Sequence, residues 1–103
     1  MEFQLVVQFR GNSAVKYDDL VALEDELISA LGESADVDGH DIGTSEANIF
    51  VLTSAPLKTF QDIKPTIENA GLLQLATVAF RSVQGDAFTV IWPANAAQQF
   101  HVT

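Results

Sequence analysis

The 103-residue chain has no cysteine, which excludes disulfides, thiolate metal sites and iron–sulfur ligation together. Five lysines and arginines face fourteen aspartates and glutamates, leaving a formal charge of −9 and a pI near 4.2. That field repels a phosphate backbone and argues against nucleic acid as a partner. No stretch approaches the roughly 20 apolar residues that cross a bilayer, so no membrane span is expected. Met1-Glu2-Phe3-Gln4 has no basic leader and is succeeded by only a short apolar run, so a cytoplasmic location is expected.

What is present suits one folded domain over residues 1–93, then a tail, 94–103, that is either docked or frayed. At this length folding buries roughly 65% of the unfolded surface, enough for a core without staples. Phe3, Leu5, Val7 and Phe9 alternate with Gln4, Val6 and Gln8, the period of a strand with one buried face. Leu20, Leu23, Leu27 and Leu31 then recur at helical spacing over 18–31, with Asp18 as expected N-cap and Gly32 just beyond the end. Residues 35–42 and 46–54 read as a hairpin whose polar first strand is an edge and whose apolar second strand is central. A second helix covers part of 57–70, turning Phe60, Ile63 and Ile67 inward. Pro65 lies in its first turn if it starts near Asp62 and inside it if it starts near Leu57. Leu75 to Val83 and Ala87 to Trp92 form a last hairpin that Pro93 stops.

The order β-α-β-β-α-β with an added strand predicts an α+β, ferredoxin-like antiparallel sheet, in spatial order 5-4-1-3-2, with both helices on one face. That topology gathers Arg10, Asn12, Tyr17, Asp18, Asp19, His40, Asp41, Thr44, Ser45, Glu46 and Asn69 on one rim, the best place for a small-molecule site. Arg10, His40, Asp41 and Asn48 are the candidate ligand-binding residues, and His40, Asp41 and Glu46 the candidates for acid–base chemistry. Neighbouring strand residues point to opposite faces, so His40 and Asp41 diverge unless Gly39 supplies a bulge. Asp36, Asp38, His40, Asp41 and Glu46 are hard-metal donor types without metal-binding spacing, so no metal and no cofactor are expected. Ordinary hairpin polarity and edge-strand protection explain most of the same residues.

Val6, Phe50 and Leu52 are expected on the sheet face away from the helices, and Trp92 is either an interface anchor beside them or plain core. Such an apolar patch predicts a homodimer through the sheet face unless the tail folds across it and buries Phe100.

The stretches GHDIGTSEANIFV and AGLLQLATVAFRSVQGDAFTVIWP resemble a group of small bacterial proteins with no assigned activity. In that group a G-H-D-x-G-x-x-E-x-N-I-F hairpin precedes a strand ending in Trp-Pro. Gly39, His40, Asp41, Gly43, Glu46, Asn48, Ile49, Phe50, Trp92 and Pro93 fit the pattern. The resemblance implies a bacterial source and an α+β sandwich, and brings no reaction, cofactor or partner. The combined expectation is a small acidic, non-catalytic interaction module, immunity-like or regulatory, meeting a basic protein through Glu24, Asp25, Asp36 and Asp38. The alternative is a small hydrolase, isomerase or monooxygenase-like enzyme built on His40 and Asp41.

Overall fold

A computed structural model describes residues 2–10, 16–43, 45–93, 100 and 102. Asn12 and Thr44 of the expected rim, and most of the tail, lie outside the described residues. The elements run β1 (Phe3–Arg10), α1 (Tyr17–Leu31), β2 (Asp36–Ile42), β3 (Glu46–Thr53), α2 (Pro56–Asn69), a 3-10 turn at Leu73–Leu75, β4 (Ala76–Ser82) and β5 (Thr89–Trp92). The strands form one antiparallel sheet in the order β2-β3-β1-β4-β5, which is 5-4-1-3-2 read from the other edge.

Period 2 in β1 and β3 settles which side chains meet the helices. Leu5, Val7, Phe9, Ile49 and Val51 join Leu20, Leu23 and Leu27 of α1 and Phe60, Ile63 and Ile67 of α2 in one core. Both helices therefore cover the same sheet face. Among the described residues no helix is long and apolar enough to cross a membrane.

α1 starts one residue earlier than its pattern implies. Lys16 is the N-cap and makes no side-chain cap bond, so Asp18 is not the cap. Asp18 and Asp19 stand in the first turn, where their charge meets the positive end of the helix dipole. α2 starts at Pro56, whose missing N–H costs nothing at that position, and it continues through Pro65. A pair of threonines braces its start. The Thr53 hydroxyl accepts the Ala55 N–H at 3.0 Å and shares a hydrogen bond with the Thr59 hydroxyl, their oxygens 2.7 Å apart. At the far end Gly71, at φ +75°, lets its N–H reach Glu68 O while the Leu72 N–H reaches Ile67 O. That paired closure caps two orphan carbonyls and folds Leu72 back onto the core.

Both edge strands carry an extra residue. On β2, Val37 pairs with Val51 and Gly39 with Phe50, so Asp38 is unpaired. On β5, Trp92 pairs with Val78 and Val90 with Ala79, so Ile91 is unpaired. One inserted residue reverses the facing of every side chain beyond it. Gly39, at φ +125°, adopts backbone that a side chain disfavours and so makes the first bulge accessible.

Candidate functional site

The expected rim is two separate clusters on opposite faces of the sheet. Register through the β2 bulge pairs His40 with Ile49, toward the helices, and Asp41 with Asn48, away from them. The bulge precedes both residues, so it turns both over and leaves them diverging. The anticipated His40–Asp41 pair is therefore corrected. Glu24 of α1 is the carboxylate at His40, with both oxygens 3.1 Å from Nδ1. Tyr17 stands edge-on to the imidazole at 5.9 Å between ring centres. The pairing spans 16 residues of chain, and nothing in local spacing announces it.

The second cluster lies on the face without helices. Arg10 and Glu46 are cross-strand neighbours, as are Gln8 and Asn48. Arg10 Nε donates to Gln8 Oε1 at 2.8 Å, and Gln8 Nε2 donates to Asn48 Oδ1 at 2.9 Å and to Glu46 Oε2 at 3.4 Å. Asn48 Nδ2 donates to the same Glu46 oxygen at 2.9 Å, and Arg10 Nη2 stands 3.9 Å from Glu46 Oε1. Gln8 is 1% exposed, Asn48 0% and Glu46 8%. The network thus converges on a buried carboxylate, an arrangement that holds charge in place. Among the described residues no buried side-chain nitrogen or oxygen lacks a partner. Gln8 was absent from the expected site. Its place opposite Asn48 on a face with no helix was the signal that could have found it.

The remaining candidates scatter. Asp36 pairs with Leu52 on the face away from the helices, and Asp38 is the bulged residue, so the five donors of the metal reading do not converge. Among the described residues no three histidine, aspartate or glutamate side chains group as a metal site. Ser45 is exposed, and Asn69 lines a surface depression with Asp25, Ser29 and Thr66 instead of joining the rim. Asp25, Asp36 and Asp38 are exposed, whereas Glu24 is held by His40.

The expected sheet-face interface needs two corrections. Val6 does face away from the helices, but it is 0% exposed and offers nothing to a second copy. Trp92 is on the helix side, because the β5 bulge turns it there. It packs 6.0 Å from Phe60, lies under Lys64 Nζ at 4.4 Å, and donates its indole N–H to Leu73 O at 3.2 Å. Only Phe50 and Leu52 of the four remain partly exposed on that face.

Comparison with protein-family models, curated proteins and solved structures finds no match.

Proposed function

We propose that this is a small non-catalytic interaction module, immunity-like or regulatory and cytoplasmic, on a ferredoxin-like frame, whose α1–β2 side meets a basic protein. One observation carries the reading. Five acidic residues lie on α1 and four more run from Glu33 to Asp41, with no lysine or arginine between Tyr17 and Gly43. Of these, only Glu24 is partly buried, and it is the one paired with His40. Charges of one sign on an exposed edge strand and the neighbouring helix steer encounter with a cationic surface and raise the on-rate most at low salt. A second copy presenting the same face would be repelled, so the proposed partner is a different, basic protein.

Affinity capture from the native host, at about 50 mM and about 500 mM salt, tests this. Basic proteins are expected at low salt and lost at high salt, and the Asp25→Asn/Asp36→Asn/Asp38→Asn variant is expected to lose them at both. Equal capture by that variant would remove the proposal.

The Glu24–His40 pair favours a second reading, an enzyme of the hydrolase, isomerase or monooxygenase-like type. A carboxylate on Nδ1 fixes the imidazole tautomer and leaves Nε2 as a base. Long-range proton–nitrogen spectra near pH 8 are expected to show His40 protonated on Nδ1 with Nε2 bare, and Glu24→Gln to abolish that preference. Turnover of an ester panel lost in both His40→Gln and Glu24→Gln would support catalysis; turnover surviving either change would exclude it.

A further inference from the structure

We propose that the sheet face opposite the helices is a peptide-binding groove, and that the chain's own Phe100 and Val102 are its resident, displaceable occupants. Three observations converge on this. Val6 and Ala79 are 0% exposed on a face that no helix covers. The Phe100 ring meets the Phe88 ring at a tilt, with centres 4.9 Å apart, and Phe100 and Val102 line a depression of about 490 Å³ with Gln4, Phe50, Arg81, Asp86 and Phe88. Phe50, Phe88, Phe100 and Val102 are all only half-buried, so the occupants sit in the groove without being enclosed by it.

One border is held by hydrogen bonds that involve neither Phe100 nor Val102. Arg81 Nε donates to Gln4 Oε1 at 3.1 Å, while its Nη1 donates to Ser82 O at 3.1 Å and Gly85 O at 3.0 Å. One guanidinium therefore ties β4, β1 and the turn after β4 into a rigid border, 6.0 Å from the Phe88 ring. A slot with aromatic walls and a polar border of Gln4, Arg81 and Asp86 suits an aromatic residue and an aliphatic one two positions later, because side-chain pockets supply the selectivity. An occupant joined to the same chain holds the slot by high effective concentration and yields to a tighter or more concentrated competitor.

The test uses a labelled synthetic peptide of residues 94–103. The full-length chain, the full-length Phe100→Ala variant and a chain ending at Gln99 are titrated with it, and circular dichroism reports their folding. The shortened chain and Phe100→Ala are expected to bind at least about tenfold more tightly than the full-length chain. A peptide carrying Phe100→Ala is expected to lose that gain. Equal binding by full-length and Phe100→Ala chains would overturn the proposal. So would a folded shortened chain that ignores the peptide or closes the groove by pairing with itself. Should the shortened chain not fold, the Phe100→Ala comparison alone decides.

Discussion

Asn48→Ala is expected to lower the unfolding free energy by about 2 to 4 kcal/mol, a large loss for a polar side chain. Asn48 takes a hydrogen bond from Gln8 and gives one to Glu46, and all three are at least nine-tenths buried. Removing it takes an acceptor from the Gln8 amide and a donor from the Glu46 carboxylate. An uncompensated buried polar group costs about 1 to 3 kcal/mol, and more where the group is charged. For a domain of this length, each kcal/mol lowers Tm by about 4 to 8 °C, so thermal and urea unfolding should both resolve the change. A loss under about 1 kcal/mol would show that water or relaxation repairs the site. Replacing the set together, as Gln8→Leu/Glu46→Leu/Asn48→Leu, is expected to cost less than the single alanine, because it removes the buried amide and carboxylate together instead of leaving them with fewer hydrogen bonds.

Leu27→Ala is expected to cost about 2 to 5 kcal/mol, whereas Ile28→Ala, one residue on, stays within about 0.5. Leu27 is 0% exposed in the core shared by both helices and the sheet, while Ile28 is 49% exposed. The lost transfer energy of the leucine is compounded by a cavity that rigid sheet and helix walls cannot close. Chemical denaturation of the two variants in parallel gives the contrast. Similar losses in both would mean that α1 presents a different stripe to the sheet.

The leucine stripe of α1, the alternation in β1 and the Ile49–Val51 centre of β3 were legible because burial imposes period 3.6 or period 2 over many residues. Faces on the edge strands were not. Asp38 and Ile91 are single inserted residues, and each reverses the side chains beyond it, sending His40 to Glu24 and Trp92 to Phe60. On β2 Gly39 marked a possible bulge but not that it would precede both His40 and Asp41, and nothing in composition marks Ile91 as the unpaired residue of β5. The pairing of Glu24 with His40 depends on that reversal and on how α1 lies over β2, so it was hidden for the same reason. Arg10 with Glu46 was anticipated as a shared corner. That Gln8 and Asn48 would seal the same charge required the cross-strand register, which joins residues 40 apart. The start of α2 was ambiguous because Pro65 suits a first turn that begins near Asp62, whereas the helix starts at Pro56 and carries Pro65 inside it.

Trp92 is the sole indole in the chain, and its ring packs against Phe60 and the Lys64 ammonium of α2 with its N–H tied to Leu73 O. Its intrinsic fluorescence is consequently a native optical gauge of whether β5 is seated against α2. Emission should redden when that strand peels away, yet stay unchanged by events confined to the other side of the sheet.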